Sequence, residues 1–492
     1  MGRLTWLSAH YWYVYGAGCA LMLLLVTIRL VGGRRRVSRS VSHGSARWAT
    51  AKEVQQVGLL TTEGVMLGRY KAHYLRENSD THMLLIAPTR AGKGVGPVIC
   101  TLLTWMESIL VTDPKDGENF DVTANWRRGL GPVYAFTPRR NPQTRINVLD
   151  TVRLQTSKEF GDAQLIAQSL VAPEKLARES QTSLHFRELA ALLTATILHV
   201  LYTGKRKSLA GVWGFLTQQH TSLGAALKTM ASARHLSHGV HEAIASMTTA
   251  IKNITGDREL SSVWTTAIRP LVLYSDPLVA ASTDASDFRF DELQYGARPV
   301  SLYLIAPSPL ELERLHPLYR VVLDVAMQRL MEHKVRTWKH RLLSVLDEIA
   351  WFGYTRAIDK GIAVKAGYGM KDLLVAQDFE SLFDVYGQHT AIWGNCRVKV
   401  FFAPDNDLTA KRISQNLLGE ATVEQPVVHQ GGGMQANAST TYQFHGRSLL
   451  TPDELMELSS DQEIVRVSGC KPILAQKLDY RTDVNLRRRV LR

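Results

Sequence analysis

A buried strand that runs into a glycine–lysine turn and out into a helix constrains this chain more than any other feature. The segment HMLLIAPTRAGKGVGPVICTLL begins at His82; its apolar run ends at Ala87, and a helix is expected from about Gly94. Strand–loop–helix is the context a phosphate-binding loop requires, because the free N–H groups of a helix start attract an anion. The amides of Ala91, Gly92, Lys93 and Gly94 are spaced to surround a β-phosphate, and Lys93 adds a point charge for the β and γ oxygens. Pro88, Thr89, Arg90, Ala91, Gly92, Lys93, Gly94 and Val95 thus form the candidate nucleotide-binding segment. The pattern GxxxxGK(S/T) is met incompletely: Ala87 stands where the first glycine belongs, and Gly94 where a Mg2+-binding hydroxyl belongs. Alone, the segment fits either a nucleotide site or an ordinary glycine turn.

Short apolar runs recur at Ser108–Thr112, Val300–Ile305, Leu342–Leu346, Leu373–Val375 and Val398–Phe402. Bounded by turn-forming residues, they read as strands of a parallel sheet covered on both faces. From about Leu154 to Tyr274 the strand pattern lapses, and Gln181–Thr203, Gly211–Met230 and Val240–Lys252 read as helices. The expected class is α/β, with an all-α insertion. Two of the strand ends carry chemistry. LLSVLDE puts Asp347 at a carboxyl strand end to hold Mg2+, and Glu348 beside it to polarise an attacking water; a solvated strand end is the plainer reading. LLVAQD offers Gln377 as a γ-phosphate sensor, or as a strand-capping amide only. The three pieces together, in order and each at a strand end, point to a nucleotide hydrolase that uses ATP and Mg2+. Lys115 and Glu118, in DPKDGEN, line the same site or merely order a loop.

Of the 492 residues 45% are hydrophobic and 21% charged, which excludes a disordered chain. Cys19, Cys100, Cys396 and Cys470 form no CxxC pair, which argues against a disulfide framework and a Cys-type zinc site. The net charge of +13 resides at the ends: residues 1–52 carry +8 and residues 481–492 carry +4, leaving 53–480 at +1. Nucleic-acid contacts would have to come from loops, with Lys205, Arg206 and Lys207 as candidates, unless these form only a solvated basic turn. The N-terminal excess flanks Tyr11–Val31, YWYVYGAGCALMLLLVTIRLV, whose length as a helix matches a hydrocarbon core of about 30 Å. Arg34, Arg35, Arg36 and Arg39 follow it and only Arg3 precedes, so the expected arrangement is a single membrane pass with the bulk of the chain cytoplasmic. Gln430–His445, with Gly431–Gly433, reads as a flexible loop.

APTRAGKGVGPVICTLLTW, SILVTDPKDGENFDVTANWRR, LLSVLDEIAWFG, AGYGMKDLLVAQDFESLFDVYG and LLTPDELMEL resemble, in this order, the TraG-like coupling proteins of type IV secretion systems. The resemblance spans roughly residues 46–480. It implies that Gly after Lys93 is normal for the loop, and that Asp347 with water holds Mg2+. Ala91 departs from the serine usual in the family, and one membrane helix stands where the family usually has two. The implied architecture is a RecA-like P-loop motor domain with an inserted all-α domain and one N-terminal transmembrane helix. Its parts would be an anchor and basic linker (1–46), the motor's first part (47–153), the all-α insertion (154–274), the motor's second part (275–480) and a basic tail (481–492). The resemblance also implies a homo-hexamer at the bacterial inner membrane that takes relaxase with single-stranded DNA, or protein effectors, to the channel components of a type IV secretion system. Such a ring calls for a cation from the neighbouring subunit, and Lys365 is the candidate, with Arg356, Arg397 and Arg412 behind it. Two alternatives stay open: a membrane-anchored DNA pump of the FtsK kind, and a non-hydrolysing nucleotide-binding receptor for substrates.

Overall fold

The computed structural model describes residues 44–140, 144–172, 182–219, 222–253, 257–333, 337–429 and 439–491. The expected membrane helix, Tyr11–Val31, lies outside them; among the described residues no helix is long and apolar enough to cross a membrane.

The fold is mixed α/β. Its strands are β1 (Val65–Tyr70), β2 (His73–Glu77), β3 (His82–Ile86), β4 (Ser108–Asp113), β5 (Val133–Phe136), β6 (Ser301–Ile305), β7 (Leu342–Leu346), β8 (Met370–Ala376), β9 (Cys396–Phe401), β10 (Glu420–His429), β11 (Ser439–Ser448), β12 (Gln462–Val467) and β13 (Ile473–Gln476). Among the described residues, all but β10 and β11 form one 11-stranded sheet in the order β2-β1-β13-β12-β9-β3-β8-β7-β4-β6-β5. From β9 through to β5 the neighbours are parallel. β12, β13, β1 and β2 extend the sheet antiparallel. The strands read from the apolar runs lie where expected and are parallel to one another; the antiparallel wing was not foreseen. Its strands, such as VMLGRY, HYLRE and QEIVRV, mix charged residues with apolar ones, and so lack the continuous apolar run of a strand buried on both faces.

The sheet separates two apolar clusters because successive side chains point to opposite faces. Leu84 and Ile86 of β3 enter one cluster, while Met83 and Leu85 enter the other. Between β5 and β6 every described element is helical. The apolar helix Thr182–Thr203 adds Leu192, Leu193 and Ile197 to the cluster that holds Leu84 and Leu110, so these helices pack in one continuous core with that face. The helix expected over Gly211–Met230 is instead two, Leu209–Thr217 and Leu223–Ser232. Ser222 starts the second by accepting the Ala225 N–H, the role for which serine is favoured at a helix start.

β10 and β11 form a separate two-stranded sheet, grouped with Gly44 and Ser45 as a small unit of its own. Thr422 N–H donates to the Gly44 carbonyl at 3.2 Å there. The stretch expected to be a flexible loop is strand from Ser439 onward. Its Thr, Tyr and Phe residues favour a pleated strand, and their polarity had obscured it. Gln430–Ala438 lie outside the described residues.

Candidate nucleotide site at the carboxyl ends of the central strands

The polypeptide leaves β3 at Ala87, whose N–H donates to the Ala376 carbonyl of β8 at 3.0 Å. It then turns through Arg90 (φ +62°) and Gly92 (φ +96°). The left-handed conformation costs a non-glycine residue roughly 1–2 kcal/mol, and Arg90 adopts it while exposed. Turns of this kind gather successive N–H groups into an anion-binding hollow. Among the described residues, the amides of Gly92 and Lys93 donate to no protein acceptor. A wide turn, Gly94–Val98, leads into the α-helix Ile99–Thr104.

Lys93 is buried, its ammonium donating to the Ala87 carbonyl at 3.2 Å and forming an ion pair with Glu348. Glu348 follows β7 in a left-handed conformation, φ +54°. From this turn its carboxylate meets the Lys93 ammonium.

Asp347 and Asp113 end neighbouring strands: the β4–β7 register pairs Thr112 with Leu346, which sets the two aspartates side by side. Thr112 Oγ1 donates to the Asp347 carbonyl at 3.2 Å. Asp113 accepts the N–H groups of Asn119 and Phe120 at 2.9 and 3.0 Å through Oδ2 alone. Its Oδ1, and Oδ1 of Asp347, are buried without a hydrogen-bond partner. Burial pushes Asp113 up to about 7, with Asp347 adding to it, against the backbone amides of Phe120, Asn119 and Lys115. Burial first and the nearby Glu348 second push Asp347 up to about 6; Lys115, Lys93 and the Asn119 side chain oppose the rise. Two buried carboxylates with orphaned oxygens cost stability and suit a hard cation. No group of three or more His, Cys, Asp or Glu side chains able to hold a metal occurs among the described residues. Two carboxylates fit Mg2+ nonetheless, because it keeps waters and takes phosphate oxygens as its other ligands.

Gln377 follows Ala376, the residue of β8 paired with Ile86, so it leaves the sheet level with the start of the loop, half-buried. Lys115 is half-buried and Glu118 exposed; Lys115 is close enough to lower the Asp347 pKa. Thus Lys93, Asp347, Glu348 and Gln377 come together around the loop Pro88–Val95.

Lys365 does not join them. It is wholly buried, its ammonium 3.0 Å from Oδ2 of Asp372, with His82 Nδ1 3.3 Å from the same oxygen. His82 opens β3 and Asp372 lies early in β8, so this pair sits toward the opposite end of the sheet. The expectation that Lys365 reaches a neighbouring subunit is corrected: its charge is spent on Asp372. Arg397 pairs with Glu77 at 3.5 Å, and Glu77 closes β2 at that same far end. Arg356 donates to Gln168 Oε1 at 2.7 Å. Arg412 lies over the Phe383 ring, 4.4 Å from its centre, on the helix Asp407–Ile413 that follows β9.

Sequence reasoning passed over three members of the site. Asp113 carries the same signal as Asp347, an apolar run ending in Asp, but its strand had been closed one residue early. Asn119, and Lys477, whose ammonium reaches the Ala91 carbonyl of the loop at 3.2 Å, have no local signature.

Residues 47–491 match the family described as type IV secretory system conjugative DNA transfer. The chain belongs to the TraG family of type IV coupling proteins. This coupling protein is 35% identical over 459 residues to the conjugal transfer protein TraG of Escherichia coli, covering 85% of this chain and 71% of that one. It is 30% identical over 470 residues to VirD4 of Agrobacterium fabrum, covering 91% of this chain and 67% of the other. Its fold is that of the plasmid coupling protein TrwB in complex with ADP and Mg2+, with a TM-score of 0.64 over 88% of this chain and 94% of TrwB at 15% identity. A second TrwB structure, a trigonal form in complex with sulphate, matches with the same TM-score of 0.64.

Proposed function

We propose that this coupling protein is an ATP-driven motor that recruits relaxase with single-stranded DNA, or protein effectors, and delivers them to a type IV secretion channel. The observation that carries the reading is the pair of buried carboxylates, Asp113 and Asp347, with orphaned oxygens beside the Lys93–Glu348 ion pair and the free amides of the loop. TrwB, which shares the fold, has been solved with ADP and Mg2+ and with a non-hydrolysable ATP analogue. In this reading the loop amides bind the β-phosphate, and Lys93 moves its charge from Glu348 to a phosphoryl oxygen. Glu348, released, orients the attacking water and takes its proton. Asp347, with Asp113 beside it, would hold Mg2+, which neutralises charge developing on the phosphoryl oxygens. Gln377 senses the γ-phosphate and passes its presence to the helix Phe379–Tyr386 that follows.

The same reading takes the sheet as a RecA-like motor, the helices between β5 and β6 as the inserted all-α domain, and Tyr11–Val31 as a single inner-membrane span. It takes the working form to be a homo-hexamer, in which Arg412 or Arg356 supplies the cation that Lys365 does not. The test is conjugal transfer in a strain lacking its own coupling protein, with ATP turnover measured on the same purified variants. Transfer that survives Glu348→Gln together with abolished turnover would overturn an ATP-driven role.

A further inference from the structure

The phosphate-binding loop is clasped from outside by the segment that follows β13. Lys477 Nζ donates to the Ala91 carbonyl at 3.2 Å and lies 4.0 Å from the centre of the Phe402 ring. Three residues on, the Tyr480 N–H donates to the Val95 carbonyl at 3.1 Å. Between them the Leu478 carbonyl lies so close to Gly96 that a Cβ there would stand 2.8 Å from it. The acids nearest Lys477 are Asp461 and Glu463. Glu463 is buried with both oxygens unpartnered, and burial raises it well above the ordinary carboxylate range; burial likewise lowers Lys477 from the ordinary lysine value, against the pull of Glu463 and Asp461.

The Ala91 carbonyl and the Gly92 N–H belong to one peptide unit, whose two dipole ends point in opposite directions. A cation held on the carbonyl therefore fixes the N–H toward the inside of the loop and polarises it into a stronger donor. Resting on the nucleotide-site reading above, we propose that Lys477 is a positioning residue for ATP: it anchors the Ala91–Gly92 peptide so that the Gly92 N–H faces the phosphates. Lys477 touches the loop and not the reacting atoms, so it acts on binding more than on the chemical step. It replaces, from the rear of the loop, part of the rigidity that a hydroxyl at position 91 would supply from within.

The experiment uses the full chain in detergent and the variants Lys477→Met, which keeps the packing on Phe402, Lys477→Gln, which keeps a neutral donor, and Lys477→Arg. Amide hydrogen exchange of residues 88–95 without nucleotide should be about tenfold faster in Lys477→Met and restored in Lys477→Arg. KM for ATP should rise about tenfold in Lys477→Met, less in Lys477→Gln, and return in Lys477→Arg, with kcat within about threefold throughout. Unchanged exchange would overturn the clasp, and a kcat loss as large as the KM rise would put Lys477 on the reacting atoms instead. If the unaltered chain binds no ATP, the ATPase reading falls, and the exchange rates still decide whether Lys477 holds the loop.

Discussion

The two ends of the central sheet each bury a lysine against a carboxylate, and they treat the remaining charges in opposite ways. At the far end Lys365 meets Asp372, with His82 on the same oxygen. Burial alone would raise Asp372, yet Lys365 and His82 hold it well below the usual carboxylate range. At the carboxyl end Lys93 is taken by Glu348, and Asp347 and Asp113 are left beside it, raised to about 6 and about 7. The same residue type, equally buried, is thus a fixed ion at one end and a destabilised acid at the other. The carboxyl end also has loop amides without acceptors and two non-glycine residues in the left-handed region, Arg90 and Glu348. Orphaned polar atoms occur at both ends, Asp372 Oδ1 and His82 Nε2 among them, so what marks the carboxyl end as the place where a ligand completes the structure is the combination of raised acids, free loop amides and strained backbone.

The comparison breaks most visibly in turnover. Glu348→Gln should lower ATP hydrolysis by about 10²–10⁴-fold while ATP stays bound, since a general base of this kind contributes that much; filter retention of labelled ATP beside phosphate release checks both halves. At the far end the loss should be of stability alone. Lys365→Ala leaves Asp372 buried beside His82 only, and breaking such a pair costs about 3–5 kcal/mol, read from denaturant unfolding. Turnover per folded molecule should hardly change.

A third test uses pH. Asp113 and Asp347 titrate at about 7 and about 6 in the folded chain, against about 3.9 when unfolded. The folded state therefore binds more protons between about pH 4 and pH 7, and stability without Mg2+ should fall as pH rises through that window. Asp113→Asn and Asp347→Asn should each flatten the dependence and stabilise the chain at pH 8, whereas Asp372→Asn should destabilise it at every pH in the window. The smallest effect concerns DNA. Lys205 and Lys207 are exposed, while Arg206 is engaged with Asp284 at 2.7 Å. Replacing all three by Ala should weaken single-stranded DNA binding modestly and reduce its salt slope by about 1–2, as the loss of two or three phosphate contacts requires.

How much of this was legible in the sequence differs by region for the same physical reason. Strands buried on both faces are continuous apolar runs, so Leu342–Leu346 appears in the structure with the bounds its sequence gives it. The antiparallel wing mixes Arg, Glu and Gln into its strands and was silent. Lys93, Asp347, Glu348 and Gln377 were readable because each stands at the end of such a run. Lys365 misled because a lysine between two strand ends reads as exposed, whereas Asp372, which buries it, sits inside an apolar strand where its charge looked incidental. Lys477 could not have been found at all: it reaches Ala91 across 386 positions of chain, a contact made only by the insertion of β13 between β12 and β1.

The most direct measurement is the thermal shift produced by ADP at pH 8, with and without Mg2+, in the unaltered chain and in Asp347→Asn. A ligand that binds the folded state alone at about 100 times its Kd stabilises by about 2.7 kcal/mol. The expected result is a shift with ADP that Mg2+ enlarges in the unaltered chain, and an enlargement that vanishes in Asp347→Asn while the Mg2+-independent part survives. A Mg2+-dependent shift of full size in Asp347→Asn would contradict the assignment of the orphaned carboxylates to the nucleotide's metal.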